Sequence, residues 1–520
     1  MSNDAKTHVL VKQGKYYPSS WPNSAFADSH IDTANPRHKH FSLRNKVTVI
    51  GGFTGSEAGI IPQGDTSTTV LSGNLEWTTD PSDTNKTDNV FHVFWHPRYL
   101  NLNDTAKLVN VTVTGGNANG AAVYEMPGGG IYNSYSSPDL TNCTVSGNTA
   151  LAGGGTYNDC SNSSLTNCTI SGNSSDNGGG IYNSYCSPVL TNCMILGNTA
   201  VHNGGGIYND SGSSSLVNCT ISSNTAVQGG GVYNNGGNSS LNNCIISENT
   251  ATGDGGGILN NNNNSSLTNC TILNNTASLG GGVRNSVNVS VTENCIFSGN
   301  TAVHGGGLYN NMILSPLTAT MINCTFSENT ATGDGGGIFN NLSDNSSMMT
   351  NCTFSGNIAA YGAGICNILS SPVLINCTIS GNTAATYCGG MYNITSSTPK
   401  LYGVLIAGNT KSGGTIRDEI TNDWSSRVLV DTNNFVGQAD TDLSKIFKTL
   451  VNGKPVLEDN GGGIPTLMVN VNPGIAGVRL DSVPTKASWD NRDIPVKDQR
   501  GLTRNGTKFY IGAMDPDPQL

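Results

Sequence analysis

The sequence predicts an all-β fold, a single parallel β-helix with about 25 residues per coil and three short strands per coil. Two observations carry this prediction. A Gly-Gly-Gly-type triplet, followed by an apolar residue, a second residue and an Asn, recurs eleven times between Gly128 and Asn393, and an Asn-Cys pair follows most copies at a fixed offset. A repeat of this period indicates a solenoid. Because it is rich in Gly, Asn, Ser and Thr, it lacks the helix-forming composition of helical solenoids.

Short alternating stretches within each repeat predict the strands. In the segment 143–146, Cys143 and Val145 share one face, and Thr144 and Ser146 share the other. These stretches are bounded by Gly and Asn, which are typical of turns. Since stacked strands lie about 4.8 Å apart, identical residues of successive coils form columns. The column that begins at Ile131 is therefore expected to form part of an apolar core.

The third position of the repeat is Asn in every copy, and we expect this column to be structural. At a coil corner, each Asn can bond amides of the coils above and below, and Asn tolerates a left-handed backbone. The Gly triplet before it allows backbone that a Cβ would prevent. The column consists of Asn133, Asn158, Asn183, Asn209, Asn234, Asn260, Asn285, Asn310, Asn340, Asn367 and Asn393.

A second column predicts a row of buried thiols. Stacked Cβ atoms about 4.8 Å apart exceed the spacing that a disulfide prefers, so we expect small buried hydrophobes. The column consists of Cys143, Cys168, Cys193, Cys219, Cys244, Cys270, Cys295, Cys324, Cys352 and Cys377. Off this column, the pairs Cys160 with Cys186 and Cys366 with Cys388 each lie about one coil apart and are the first places to look for disulfides. A metal ladder is a poor alternative for this column, because no Cys-x-x-Cys or His partner has ligand spacing, and His92 and His96 have such spacing only on a helix, so we expect no metal.

The repeat unit resembles known surface proteins. Gly-Gly-Gly-Ile-Tyr-Asn, followed by Asn-Cys-Thr-Ile-Ser-Gly-Asn-Thr-Ala, is similar to the right-handed parallel β-helix repeats of bacterial surface proteins and to chlamydial polymorphic outer-membrane proteins. Segments 47–53 and 69–73 resemble their lead-in, and segments 459–463 and 498–513 resemble their closing part. The resemblance implies a right-handed β-helix and an adhesin or passenger role. Such proteins carry a secretion signal; none is visible after Met1, so we expect it to be removed or truncated.

Composition divides the chain into three parts. We expect N-terminal lead-in coils and a cap over 1–127, regular repeats over 128–409, and C-terminal coils with a capping segment over 410–520. Residues 128–399 contain ten acidic residues, no Lys and one Arg, Arg284. An acidic body without Lys argues against nucleic acid as a partner. No apolar run is long enough for a membrane span.

An aromatic column is the predicted binding surface. If its rings point outward, they form a strip that can pack on sugar rings or on a partner protein; otherwise they stack on each other and cover the Gly-rich wall. The strip consists of Tyr132, Tyr157, Tyr182, Tyr208 and Tyr233. Loops near 121–127, 311–320 and 341–348 interrupt the repeat and are the other expected binding positions. A Thr-x-Ser ladder resembles ice-binding solenoids, but Met194, Ile245 and Ile296 interrupt it.

The repeats show no clear catalytic group. Asp254 and Asp334 lie three coils apart in a duplicated segment, too far for a carboxylate pair, and the single Arg leaves no cationic clamp for a uronate. His92 and His96, beside Arg98, alternate with apolar residues, which predicts a solvated strand face. We expect no catalytic residue and no cofactor; a structural Ca²⁺ stays open, with no motif to hold it.

These observations favour a non-catalytic extracellular or cell-surface β-helix protein that acts as an adhesin, a stalk or a filament subunit. Its partner would be a glycan, a surface protein or further copies of itself. The alternative is a protein that binds or degrades a polysaccharide; as an enzyme, it would be a polysaccharide lyase or a glycoside hydrolase.

Overall fold

The computed structural model describes residues 7–19, 34–55, 69–75, 88–262, 264–286, 291–311, 319–342, 347–430 and 434–438, with 443, 446, 450, 451, 454, 455 and 457. The chain divides into two compact units, Met1–Thr250 and Ala251–Leu520. The centres of the predicted loops, 312–318 and 343–346, and the predicted closing segment after 457 lie outside the described residues.

The predicted all-β, right-handed parallel β-helix is confirmed, with one addition to each coil. A representative coil begins at the triplet 128–130 and contains the predicted three strands plus a fourth, Thr149–Ala150. We number the resulting sheets 1 to 4 in the order in which a coil visits them. The described pairings between successive coils are parallel, as for Thr144 with Thr169, and their register shifts only at Leu10/Lys12, Ser175/Asn177 and Ala359/Tyr361.

The first unit contains strands of all four sheets. Sheet 1 consists of Phe94–His96, Ile131–Ser134, Thr156–Asp159, Ile181–Ser184, Ile207–Asp210 and Val232–Asn235. Sheet 2 consists of Thr7–Lys12, Val47–Phe53, Lys107–Val109, Asp139–Thr141, Ser164–Thr166, Val189–Thr191, Ser215–Val217 and Ser240–Asn242. Sheet 3 consists of Gly14–Tyr16, Thr69–Ser72, Thr112–Thr114, Thr144–Ser146, Thr169–Ser171, Met194–Leu196, Thr220–Ser222 and Ile245–Ser247. Sheet 4 consists of Asn117–Ala118, Thr149–Ala150, Ser174–Asn177, Thr199–Asn203 and Thr225–Ala226; the strand Thr250–Ala251 contains the division between the units.

The second unit has the same order of strands. Sheet 1 consists of Ile258–Asn261, Val283–Ser286, Leu308–Asn311, Ile338–Asn341, Ile365–Ile368, Met391–Ile394 and Ile420–Asn422. Sheet 2 consists of Ser266–Thr268, Val291–Glu293, Ala319–Ile322, Ser347–Thr350, Val373–Ile375, Lys400–Tyr402 and Leu429–Val430. Sheet 3 consists of Thr271–Leu273, Ile296–Ser298, Thr325–Ser327, Thr353–Ser355, Thr378–Ser380, Leu405–Ile406 and Phe435–Val436. Sheet 4 consists of Thr301–Ala302, Thr330–Ala331, Ile358–Tyr361, Thr383–Tyr387, Thr410–Lys411 and Ile416–Arg417, of which the last pair is antiparallel. A separate antiparallel pair joins Leu450–Val451 to Lys454–Pro455.

Helical structure is confined to short turns in the part of the chain that the structure describes. These are the 3-10 turns Pro36–His38, Arg98–Leu100 and Val123–Glu125 in the first unit and Ser412–Gly414 in the second.

Inward-facing columns of apolar side chains form the core of each unit. In sheet 3 of the second unit the column is aromatic: Phe297 and Phe326 stack at 4.5 Å between ring centroids, and Phe326 and Phe354 stack at 5.1 Å. The ten thiols of the Cys column are buried, and all fourteen Cys are free. The thiols also form hydrogen bonds; that of Cys143 lies 3.3 Å from the carbonyl oxygens of Leu108 and Thr141.

The Gly triplet is required for two different reasons. Gly178 has a φ of +64°, which favours glycine. A Cβ on either of the next two residues would lie against a carbonyl oxygen of the following coil, 2.5 Å from Gly205 for Gly179 and 2.6 Å from Gly206 for Gly180. The triplet therefore provides both a turn and the close approach of successive coils.

The Asn133 column forms a hydrogen-bonded ladder inside the coils. In the first unit, each Asn Nδ2 donates to Oδ1 of the next Asn over 2.7–2.9 Å, from Asn133 to Asn234. In the second unit, the ladder runs from Asn260 to Asn393 and on to Asn422. The prediction that these residues occupy left-handed corners is wrong, because they lie within extended strands of sheet 1.

The left-handed corner instead belongs to the Asn before each Cys of the column, such as Asn167 with a φ of +53°.

A third Asn column, which includes Asn382, adds another buried ladder beside sheet 4. In the second unit this ladder ends at Glu419, whose carboxylate accepts hydrogen bonds from the backbone N–H of Gly408 at 2.7 Å and from Asn409 Nδ2 at 2.6 Å.

Candidate functional site

The five predicted tyrosines form one continuous row on sheet 1 of the first unit. Each Tyr follows the buried inward residue of its strand, which is apolar except at Thr156, so parallel in-register pairing aligns the rings. Successive centroids from Tyr132 to Tyr233 are 5.6, 5.2, 4.9 and 5.1 Å apart. The row continues past Tyr132 to Trp95, at 4.3 Å, and from Trp95 to His92, at 4.6 Å. We call these seven rings the aromatic row.

The rings of the row are less exposed than a fully outward strip would be. Tyr132, Tyr157 and Tyr182 are half-buried, whereas Tyr208 and Tyr233 are each only 8% exposed. Burial raises the pKa of Tyr208 to about 12 and raises the pKa of Tyr157 and Tyr182 further. The rings therefore both stack on each other and cover the Gly-rich wall, and the first three leave an aromatic surface for a ligand.

Two carboxylates lie beside the row, a feature that the sequence analysis missed. Asp159 and Asp210 end their strands two coils apart and flank Ser184 in register, which places their backbones about 9.6 Å apart. Tyr182 Oη donates to Asp210 Oδ2 at 3.1 Å, and Ser134 Oγ donates to Asp159 Oδ2 at 3.1 Å. The Tyr-Asn-Asp sequence at 157–159 and 208–210, spaced by two repeats, was the available signal.

Exposed aromatic side chains lie at the corner that follows the row. Tyr135 and Tyr185 each have a φ of +49°, a left-handed conformation that is unusual for a bulky residue. Their side chains are 41% and 69% exposed. Arg98 lies over the ring of Tyr135, with Cζ 4.2 Å from the centroid. Ser211 occupies the same corner three coils from Tyr135 and one coil beyond Tyr185, so the position does not require an aromatic residue.

The predicted solvated face at His92 and His96 is wrong, because both side chains are buried. His92 Nδ1 lies 3.0 Å from Gly128 O and Nε2 lies 2.9 Å from Tyr124 O. Burial lowers the pKa of His92 to about 3, although these carbonyls favour the charged form. The two residues do not share one strand face: His92 precedes the strand Phe94–His96 and stacks on Trp95 beneath the 121–127 insertion, whereas His96 contacts Asn133 inside the coil.

The 121–127 insertion forms one wall of a small pocket at the end of the row. Glu125 Oε1 lies 3.1 Å from His38 Nε2, which holds the insertion against the 36–38 turn. The pocket is lined by Arg37, His38, Lys39, His40, His92, Trp95 and Tyr124. The insertion therefore contributes to a defined cavity in the first unit.

The acidic residues singled out in the second unit are engaged in ion pairs. Arg284 Nη1 lies 2.9 Å from Asp254 Oδ2, and Arg284 also lies over the ring of Tyr309. His304 Nδ1 lies 3.0 Å from Asp334 Oδ2. Burial raises the pKa of Asp254, and Arg284 opposes this shift. Each carboxylate thus has its own partner, and the structure does not bring the two together as a pair.

Within the described ranges, no group of three or more His, Cys, Asp or Glu side chains is arranged to hold a metal ion. The off-column cysteines are also unpaired with one another, since Cys160, Cys186, Cys366 and Cys388 are all free thiols. No described helix has the length and apolar character needed to cross a membrane.

Comparison with known proteins identifies the repeat. The family described as Chlamydia polymorphic membrane protein (Chlamydia_PMP) repeat matches residues 167–184, 243–261 and 323–341. Three segments of the chain are thus similar to polymorphic membrane protein repeats. Each matched segment runs from the Asn-Cys region through the Gly triplet to the strand of sheet 1, and the first contains Tyr182 of the aromatic row.

Two further comparisons complete this picture. No curated protein sequence matches the chain. Among solved structures, the pectate lyase Pel9A is similar over 70% of this chain and 88% of that chain, with 10% identity and a TM-score of 0.34. The lyase activity in that name is a property of Pel9A.

Proposed function

We propose that this protein is a non-catalytic cell-surface adhesin that binds a glycan along the aromatic row of its first unit. The observation that carries the proposal is the continuous row itself, with half-buried rings at Tyr132, Tyr157 and Tyr182 and exposed rings at Tyr135 and Tyr185. Aromatic faces pack against the apolar faces of sugar rings, and neighbouring polar groups set their orientation.

The polar groups beside the row suit sugar hydroxyls. Asp159, Asp210 and Asn235 lie on the outward side of the same strands and supply carboxylate and amide oxygens as acceptors. Their present hydrogen-bond donors are neutral side chains, such as Tyr182 and Ser134. Hydroxyl groups of a bound sugar can replace these donors. The polymorphic membrane protein repeats support a location at the bacterial surface, where glycans of other cells are accessible.

Glycoside hydrolysis is the second candidate, favoured by the separation of Asp159 and Asp210. About 9.6 Å between their backbones is near the upper end of the range of roughly 6.5–9.5 Å for the carboxyl groups of inverting enzymes. However, such an enzyme needs one of the two carboxyl groups protonated as a general acid. Each carboxylate here accepts a hydrogen bond from a neutral side chain, Ser134 or Tyr182. The continuous row of rings supports binding without cleavage as the first candidate.

A glycan-array screen of the full chain, followed by a reducing-sugar assay on every glycan that binds, tests the proposal. We expect binding to a limited set of glycans and no release of reducing ends. Release that disappears in both the Asp159→Asn and Asp210→Asn variants would establish the hydrolase instead. Binding to no glycan would overturn the glycan-binding function.

A further inference from the structure

Four buried acceptor oxygens of the lead-in have no hydrogen-bond partner. They are Oδ1 of Asn74, both carboxylate oxygens of Asp88 and Oδ1 of Asn89, and no residue in the described part of the chain donates to them. The Asn89 side chain is only 4% exposed. An unpaired buried acceptor destabilises a fold, and an unpaired buried carboxylate does so more strongly. These oxygens therefore need a group that the described side chains do not supply.

The three residues lie at the neck of one loop. The backbone N–H of Val90 donates to Gly73 O at 2.9 Å, and this hydrogen bond joins the two ends of the loop. Asn74 directly follows Gly73, and Asp88 and Asn89 are the two residues before Val90. The neck is also anchored, because the Gly73 N–H and the Val90 C=O are both bonded to the next coil. The fold thus brings the oxygens of both ends of the loop to one place.

Arg37 is a neighbour of these oxygens, but it donates elsewhere. Its Nε donates to the backbone oxygen of Asn89 at 2.7 Å, and its Nη2 donates to Asn117 O at 2.7 Å. Burial lowers the pKa of Arg37, and the charges of Glu125 and Asp88 raise it. Since neither carboxylate oxygen of Asp88 has a donor, this attraction acts without a hydrogen bond. Arg37 therefore offsets part of the charge and leaves the carboxylate lone pairs available to a ligand.

The chemistry of the four atoms suits a hard divalent cation. All are carboxylate or amide oxygens, which Ca²⁺ accepts as ligands, whereas Zn²⁺ is bound mainly by Cys and His. Mg²⁺ fits less well, because it demands near-ideal octahedral geometry. Ca²⁺ takes roughly six to eight oxygens, so water would complete its sphere. Because amides supply two of the ligands, the site does not need three His, Cys, Asp or Glu side chains.

We propose that Asn74, Asp88 and Asn89 bind one Ca²⁺ at the neck of this loop. With a single carboxylate, binding is weak, on the order of 10⁻⁴–10⁻³ M, as in extracellular modules. From the neck the chain continues directly to His92 and Trp95, so the ion stabilises the end of the aromatic row. This inference does not depend on the proposed glycan binding.

Thermal unfolding of the full chain with and without Ca²⁺ tests the proposal. After dialysis against EDTA, millimolar Ca²⁺ should raise the unfolding midpoint of the wild type by at least about 2 °C, because an ion that binds only the folded state stabilises it. Asp88→Asn removes the charge and should lose this rise. Asp104→Asn is the matched control, since Asp104 is exposed in the same unit and its variant should keep the rise. Calorimetric titration should show Ca²⁺ binding at least ten-fold weaker in Asp88→Asn.

The response of the wild type keeps the test independent of the folding of Asp88→Asn. A second variant, Asn74→Ala, removes a neutral ligand and should weaken Ca²⁺ binding by a smaller factor. An unfolding midpoint of the wild type that does not respond to Ca²⁺ would overturn the site. A full rise in both Asp88→Asn and Asn74→Ala would place the ion elsewhere and overturn it as well. An equal rise with the same concentration of Mg²⁺ would contradict the assignment to Ca²⁺.

Discussion

His96 Nδ1 lies 2.8 Å from Asn133 Oδ1 and continues the Asn ladder of the first unit with a different residue. The two are paired in register on neighbouring strands. Since the backbone N–H of Leu43 donates to His96 Nε2 at 3.2 Å, Nδ1 carries the proton and donates to Asn133. His96 thus has the same donor role as each Asn further along, and it accepts a backbone hydrogen bond from the lead-in.

This relationship predicts that His96→Leu destabilises the first unit much more than His96→Asn. Leu leaves the buried oxygen of Asn133 without its donor and the N–H of Leu43 without its acceptor, at about 1–3 kcal/mol for each. Asn keeps the donor to Asn133 and loses only the acceptor for Leu43, so it should cost about 1–3 kcal/mol less than Leu. Guanidinium unfolding followed by circular dichroism measures the difference. Equal losses in the two variants would show that the ladder does not need this donor.

The buried histidines predict a loss of stability in acid. Burial lowers the pKa of His92 to about 3 and that of His96 to about 4, from about 6.5 in the unfolded chain. Because the unfolded state binds these protons first, their stabilising contribution is complete above pH 6.5. It is lost as the pH falls toward 4, by roughly 2–3 kcal/mol per histidine by pH 4.5. Unfolding free energies at pH 7.5 and pH 4.5 should differ less in His96→Asn than in the wild type; an unchanged difference would contradict the assignment.

Two glycine positions are expected to differ in how much folding stability a small substitution costs. Gly180→Ala should cost about 3 kcal/mol, because the new Cβ would lie against the carbonyl oxygen of Gly206. Gly172→Ser is the control: no atom lies within 4 Å of a Cβ there, and Ser223 already has a φ of +56° in the same column. It should cost about 1 kcal/mol or less. Thermal unfolding of both variants compares them, and a Gly180→Ala variant as stable as Gly172→Ser would refute the close approach of coils.

The thiols predict a distinctive chemical titration. All fourteen Cys are free, thirteen are buried, and Cys160 alone is partly exposed. A thiol reagent such as DTNB should therefore label about one thiol quickly in the native protein and all fourteen in guanidinium without reductant. Fewer than fourteen after unfolding would reveal a disulfide, with Cys160–Cys186 and Cys366–Cys388 the pairs to map first.

Repeats made the coil predictable, but not the role of every column. In-register stacking follows from the period, which is why the Cys and Tyr columns could be aligned from sequence. The sequence could not show which Asn takes the left-handed corner, because the Asn133 and Asn142 columns have the same residue type and similar spacing. Their difference depends on where each strand ends, and only Asn142 lies between two strands.

The candidate site was less predictable because it depends on contacts between distant segments. His92 was expected to be solvated because its cover comes from Tyr124, in an insertion 32 residues away. Asp159 and Asp210 come to lie two coils apart on the same sheet only when the coils stack. In the sequence, an Asn separates each of them from its Tyr. The exposed corner at Tyr185 was not predicted from the sequence, because an aromatic residue is unusual in left-handed backbone.

The most direct test is glycan binding by a variant that lacks the two exposed rings at the corner beside the aromatic row, Tyr135 and Tyr185, and keeps the fold. In Tyr135→Ser/Tyr185→Ser, both positions receive the residue that the same corner has at Ser211. We predict that affinity for the best glycan of the array falls at least ten-fold, whereas the exposed-residue control Trp424→Ser binds like the wild type. Unchanged affinity in the double variant would contradict the proposal that this face of the first unit is the binding surface.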